Sequence, residues 1–318
     1  MTASRVPAGR SVTVEVPATT ANLGPGFDTL GLALSVYDVL TVTASEVPGA
    51  RVEVHGVGAG EVPTDESNLV VQAILRVFTE VGEAPPGLDL VARNTIPHGR
   101  GLGSSGAAVV SGVVAASGLL AGIVELDGDR LLGIATAMEG HPDNVAPALF
   151  GGLTIAWTGD DGPQHKRLLP HRSVSPLLLV PEHTMSTALA RSLQPVNVPH
   201  ADAIFNVSRS TLLIAALIQS PELLHTATED RLHQSYRASA MPETDRMIAL
   251  LRAAGHAAVV SGAGPSILVL ASDPSRRLEA AALVRSAAEH RWEAILPAVD
   301  IKGATLRDQQ APVLRAPS

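Results

Sequence analysis

Apolar and polar residues alternate along SVTVEVPA (11–18), and the same period of two returns in LALSVYDVLTVTAS (32–45) and ARVEVHGVG (50–58), with turn residues between the runs. Such alternation sends successive side chains to opposite faces of a strand, so the chain opens β-rich. The period changes in DESNLVVQAILRVFTEVG (65–82), where Leu69, Ala73, Leu75 and Val77 carry helical spacing. A start at Asp65 or Ser67 and a stop at Gly82 frame that helix. GLDLVARNTI (87–96) predicts a further strand. From Gly106 to Gly122 nearly every residue is small and apolar. As a helix the stretch would span about 25 Å at roughly 1.5 Å per residue, and without a polar face it must be buried.

DRLLGIATAMEGHP (129–142) reads as a helix closed by Gly140 and Pro142, followed by the strand GGLTIAW (151–157). The polar, turn-rich GDDGPQHKR (159–167) is the expected domain boundary, dividing the chain into 1–165 and 166–318. A second βα pattern follows. It comprises SPLLLVPE, helices around 201–219 and 242–254, the strands AAVVSG and SILVLA joined by a glycine turn, a helix near 275–290 and the strand WEAILPAV. Two α+β domains are expected, with no internal repeat.

Composition narrows this picture. The 318 residues are 46% hydrophobic but only 3% aromatic, so the core must be built from Val, Leu, Ile and Ala. A net charge of −8 without a basic block argues against nucleic acid or an anionic membrane surface as partner. The absence of cysteine removes disulfides, thiolate nucleophiles and thiolate metal sites. The opening MTASRVPAGRSV lacks a signal-peptide core, and no run reaches the 18 or so uninterrupted apolar residues of a membrane span, so a cytoplasmic protein is expected. Lys166 and Lys302 are the only lysines, and arginine supplies the other 21 of the 23 basic residues. Any site needing a cation must therefore use arginine or a metal.

Four stretches carry candidate chemistry. PHGRGLGSSGAA (97–108) places glycines ahead of the buried helix, where unobstructed backbone N–H groups and the helix dipole make an anion cradle. Residues 101–106 also match G-x-G-x-x-G, with Asp127 about twenty residues on, as in a dinucleotide fingerprint. Against that reading, Arg93, Asn94, Thr95, Pro97 and His98 precede the first glycine, where a fully buried parallel strand is required. A lysine-bearing P-loop is excluded because no lysine is near. A plain glycine turn with Ser104 and Ser105 as caps is the blander alternative. A lysine-free phosphate loop fits best, its adjacent serines adding hydroxyls for Mg²⁺. PATTANLGPGFD (17–28) brings Asn22 and Asp28 to a tight loop, as ligand groups or as turn formers. EGHPDNVAP (139–147) gathers carboxylate, imidazole and amide at a helix end, as a metal site or as a solvated stop. SGAGPS (261–266) is a second glycine turn.

In this order the four stretches resemble, almost letter for letter, the motifs of the homoserine kinases within the GHMP kinase superfamily, from about residue 12 to 270. The resemblance implies an α+β, two-domain fold: an N-terminal ribosomal protein S5 domain 2-like α/β domain that binds ATP, and a C-terminal ferredoxin-like domain. It implies phosphorylation of L-homoserine by ATP with Mg²⁺, on the route to threonine, and suggests a homodimer. By matching motif, Pro97, Gly99, Arg100, Gly101, Leu102, Gly103, Ser104 and Ser105 would wrap the triphosphate, with Asn68 near the adenine. Ser105 and Glu139 would hold Mg²⁺. Asn22, Asp28, His141, Arg191 and Arg237 would form the homoserine pocket, the two arginines meeting the carboxylate. Asp28, Asn144 and Thr187 would attend the reacting hydroxyl, Asn144 standing where some relatives carry an aspartate base. The chain departs from the family in Thr20, in Gly106 and in YRASAMPETD (236–245), where YRAPLVPGFD is usual.

Overall fold

The structure, a computed structural model, describes residues 4–309. The opening alternation becomes β1 (Ser11–Ala21), β2 (Leu30–Ser45) and β3 (Ala50–Gly56). In β1 burial alternates only as far as Val16; from Pro17 onward every residue is buried, because the strand runs on beneath the second half of the chain. The register with β2 slips between Pro17 and Ala18, where proline has no N–H for the ladder.

α1 (Leu69–Val81) starts one residue past the expected signals: its N-cap is Asn68, whose Oδ1 accepts from Val70 N. Asp65 instead closes a local turn, accepting from the N–H and hydroxyl of Ser67. α1 links β3 to β4 (Gly87–Asn94), which run parallel. α2 (Ser104–Leu120) is buried on nearly all sides, as its composition required. α3 (Gly128–Glu139) is capped by Asp127, whose Oδ1 accepts from Arg130 N at 2.8 Å. That accounts for the aspartate at dinucleotide spacing. Pro142 stops α3 and also opens an unforeseen helix, α4 (Pro142–Phe150), in whose first turn its missing N–H costs nothing.

β5 (Leu153–Gly159) and β6 (Gly162–Leu168) form a hairpin. The polarity that suggested a linker belongs to a strand that pairs with β5 alone, and the division expected at 165/166 runs through it. The first sheet has the order β11-β1-β2-β4-β3, with β5 on the early part of β2 and β6 beyond it. Its last member, β11 (Thr305–Gln309), returns from the far end of the chain to pair with β1.

The second half holds β7 (Ser175–Pro181), α5 (Thr187–Ser192), α6 (His200–Ile218), the short turns α7 (Leu224–Ala227) and α8 (Gln234–Arg237), and α9 (Pro242–Ala253). It continues with β8 (Ala257–Val260), β9 (Ile267–Ala271), α10 (Pro274–Ala287) and β10 (Trp292–Ile295). The order β10-β7-β9-β8, all antiparallel, is the ferredoxin-like arrangement. Leu177, Leu179, Ile267 and Val269 face Met247 and Leu251 of α9 and Ala280 and Val284 of α10. Leu178, Val180, Leu268 and Leu270 join the main core on the other face. Both faces are thus covered, and β7 reads as a continuous apolar run. α6 has the length and mean hydropathy of a membrane span, yet Asp202 and Arg209 pair with Arg231 and Glu229, and Leu213, Ala216 and Leu217 enter the core.

Candidate active site

The glycine loop between β4 and α2 is held from four sides. At its root, Thr95 N and Ile96 N donate to Asp38 Oδ1 at 2.6 and 3.0 Å. Further on, Thr19 N donates to Leu102 O at 3.1 Å. The Ser261 hydroxyl donates to Gly101 O at 2.7 Å, and Met185 N to Gly99 O at 2.9 Å. Gly101 and Gly103 take φ of +72° and +68°. A Cβ on Gly101 would lie 2.1 Å from Ser261 O, and one on Gly103 would lie 1.9 Å from Thr19 Oγ1. Only glycine fits either place. Gly103 caps α2, so the unpaired N–H groups of the helix's first turn sit at the end of the loop.

Two cavities meet at this loop. One, of about 230 Å³, is a largely apolar slot walled by Val39, Leu40, Val52, Val54, Leu90 and Ala92, with Asn68 on its rim. The other, of about 160 Å³, is polar and lies between the two halves of the chain, lined by Asn22, Asp28, Glu139, His141, Asn144, Thr187, Arg191 and Arg237. Ser104 and Ser105 line both. Among the described residues no lysine or arginine lines the slot, and two arginines line the polar cavity.

In the polar cavity Arg191 holds Asp28 in a two-pronged pair, Nη1–Oδ2 at 3.2 Å and Nη2–Oδ1 at 3.1 Å. Asp28 itself stands at φ +52°, in a loop whose Asn22 and Leu23 are also left-handed. Arg237 is only 2% exposed and gives Nη1 to Gly262 O at 3.3 Å, with its guanidinium over the Phe27 ring. Burial lowers its pKa, and the negative charge of Asp28 opposes that shift. Ser105 Oγ donates to Glu139 Oε2 at 2.8 Å. Burial raises the Glu139 pKa, against the pull of that hydrogen bond. The Thr19 hydroxyl donates to Asn144 Oδ1 at 2.9 Å.

His141 bonds through Nδ1 to the buried carboxylate of Asp143, and this bond raises the imidazole pKa. A raised folded-state pKa makes the pair stabilising below the ordinary histidine value of about 6.5, and the contribution is lost as pH rises through the folded value. In Asp143→Asn the His141 titration midpoint, followed by NMR, should fall; an unchanged midpoint would show that another group sets it.

Residues 68–152 match the GHMP kinases N terminal domain, and residues 213–290 the GHMP kinases C terminal domain. The homoserine kinase of Clavibacter michiganensis is 70% identical over 304 residues, which cover 96% of each chain. The chain belongs to the homoserine kinases of the GHMP kinase family. Within that family, the homoserine kinase of Streptomyces coelicolor is 46% identical over 93% of this chain and 94% of its own. The crystal structure of homoserine kinase from Cytophaga hutchinsonii superposes with a TM-score of 0.84 at 27% identity, covering 93% of this chain and 97% of that one. A mevalonate kinase from L. major shares the fold at a TM-score of 0.65 and 17% identity, over 94% of this chain and 100% of its own.

Measured against the family's motifs, the structure brings Gly99, Gly101, Leu102, Gly103, Ser104 and Ser105 to the polar cavity, with Glu139, His141, Asn144, Thr187, Arg191 and Arg237 around it. Pro97 and Arg100 line neither cavity, and Asn68 and Asn22 border them with their amides engaged. Arg100, expected on the triphosphate, turns its guanidinium to the backbone: Nε to Pro181 O at 2.9 Å, Nη2 to Glu182 O at 2.7 Å and Nη1 to His98 O at 3.2 Å. It ties the glycine loop to the end of β7. Asn68 borders the slot, but its amide is engaged by Val70 N and Pro63 O. Asn22 borders the polar cavity, but its Nδ2 donates to Gly262 O at 2.8 Å and its Oδ1 accepts from Asp28 N at 3.0 Å. Both asparagines shape the walls through main-chain bonds. Sequence reasoning missed Asp143, which orients His141, and Asp38, which anchors the loop; the one signal for Asp38 was a carboxylate in the middle of an apolar strand.

Proposed function

We propose that the chain transfers the γ-phosphoryl group of ATP to the hydroxyl of L-homoserine, giving O-phospho-L-homoserine on the route to threonine. The observation that carries this reading is the junction of the two cavities: an apolar slot suited to a base and a polar pocket suited to a zwitterion share one wall, Ser104 and Ser105, at the start of α2. A nucleotide lying in the slot has its phosphates at that wall. There the loop amides from Gly99 to Ser105 and the first-turn N–H groups of α2 neutralise phosphate charge without a lysine.

On the acceptor side, Arg237 and Arg191 bind the homoserine carboxylate, and Asp28 takes the amine. Binding exchanges the Asp28–Arg191 pair for one bond from each partner to the substrate's opposite charges. Asn144 and Thr187 orient the hydroxyl. Phosphoryl transfer through a loose transition state asks chiefly for positioning, so an amide can stand at 144 where a base is not required. Ser105 and Glu139 present hard oxygen donors 2.8 Å apart at the shared wall, a set that suits Mg²⁺ bound partly through substrate phosphates. When bound there the ion supplies neutralisation of the phosphate oxygens.

Formation of phosphohomoserine, identified by mass, from Mg·ATP and L-homoserine tests the reading; folded protein that never makes it contradicts the proposal. Ser105→Ala and Glu139→Gln should each lower kcat about a hundredfold. Excess Mg²⁺ should recover part of the loss, and near-wild-type rates in both variants would remove these two residues from metal binding.

A further inference from the structure

The apolar slot contains one charged group that the proposed chemistry leaves without a task. Asp38 lies in mid-β2 on the slot wall, beside Val39 and Leu40. Its Oδ1 accepts from Thr95 N and Ile96 N at the root of the glycine loop, while Oδ2 has no hydrogen-bond partner among the described residues. Several other polar side chains of the slot are occupied. Asn68 is engaged at both ends of its amide, Ser111 donates to Ala108 O at 2.8 Å, and Asn94 gives Nδ2 to Val57 O at 3.2 Å. Among the described residues Asp38 Oδ2 and Asn94 Oδ1 have no hydrogen-bond partner, and both are acceptors on the slot wall, which His98 and Ser104 also line. Burial pushes the Asp38 carboxyl pKa up, and the two N–H bonds with nearby His98 pull it down.

We propose that Asp38 sets the base specificity of the nucleotide slot: its free carboxylate oxygen accepts from the exocyclic amine of a 6-aminopurine and rejects a 6-oxopurine. The inference rests on the phosphotransfer reading above, in which the slot holds the base. A 6-amino group brings the donor that Oδ2 lacks. A 6-oxo group puts lone pairs against the carboxylate at the same place, so the bond from the base's 6-position to Oδ2 is lost. Sites built to hydrogen-bond one group discriminate strongly against its replacement. Because Oδ1 is fixed to Thr95 and Ile96, the same side chain sets the distance from base to phosphate loop, so a well-seated base also seats the phosphates.

The test compares ATP, ITP and purine riboside triphosphate, by kcat/KM with L-homoserine and by calorimetric binding of each nucleotide. The wild-type chain should prefer ATP to both analogues by at least about tenfold. Asp38→Asn keeps an oxygen for the two loop N–H groups and replaces the free oxygen with a donor. Its ATP-to-ITP preference should fall to about one, through nucleotide KM, with homoserine KM unchanged. Equal use of the three nucleotides by the wild type would overturn the proposal. So would an Asp38→Asn variant in which ATP and ITP lose the same factor, since that pattern belongs to a side chain that only anchors the loop. If Asp38→Asn does not fold, the wild-type comparison decides. Binding selectivity for ATP without any homoserine phosphorylation would uphold the base assignment and defeat the phosphotransfer reading instead.

Discussion

Gly103→Ala should reduce kcat/KM by a thousandfold or more, about 4 kcal/mol of lost transition-state stabilisation. Three effects add at this one position. The residue stands at φ +68°, a conformation that costs an L-residue about 1–2 kcal/mol. The new Cβ would overlap Thr19 Oγ1 at 1.9 Å and crowd Asn144 Oδ1 at 3.1 Å, breaking the hydrogen bond between those two residues. Relief requires the start of α2 to shift, and with it the N–H groups and serines that both cavities share. A displacement of about 1 Å in such a cradle is itself worth roughly a hundredfold in rate. The check is steady-state kinetics beside a thermal melt. A melt that moves by a few degrees while activity vanishes is the expected result, and a variant with normal rates would show that the shared wall is not where chemistry happens.

Arg237→Ala should raise the KM for homoserine by a hundredfold or more while leaving the KM for ATP within a factor of about two. This guanidinium is almost wholly buried, and in the proposed complex it meets the substrate carboxylate, so truncation would remove a desolvated charge pair of the kind worth about 2–5 kcal/mol. Arg191→Ala should have a weaker effect, about tenfold, because the Arg191 and Asp28 side chains are 42% and 38% exposed and water screens what they contribute. Equal effects on both substrates would mean that Arg237 supports the fold between Gly262 and Phe27 and does not read the acceptor.

Much of this architecture was legible beforehand because it is written in local patterns. Strict alternation over 11–16 and the unbroken small-residue run after Gly106 left little freedom for β1 and α2. What escaped depends on partners distant in sequence. β6 is polar because it borders only β5, and β11 gains its meaning from β1, nearly three hundred residues earlier. α4 was hidden because Pro142 ends one helix and begins another within a few residues. At the site, residue type indicated neighbourhood but not hydrogen-bond partner. Asn22 and Asn68 border the cavities and Arg100 lies in the glycine loop, yet the hydrogen bonds of all three go to main-chain groups. Which of two nearby partners an amide or guanidinium satisfies is decided by tertiary packing that no local spacing encodes. Asp143 shows the converse: the motif put it beside His141, but only the folded geometry gives the hydrogen bond that raises the imidazole pKa.

The proposed chemistry depends on one wall, Ser104 and Ser105, joining a nucleotide slot to a pocket for a small zwitterion. It is tested most directly by ADP release from Mg·ATP with L-homoserine, L-serine, L-threonine, mevalonate and galactose offered in turn, with the phosphorylated product identified by mass. Turnover is expected with L-homoserine, giving phosphohomoserine, and none comparable with mevalonate, which lacks an ammonium group for Asp28, or with galactose, which lacks both charges. Release driven by mevalonate or galactose, or by none of the acceptors, would contradict the proposed chemistry.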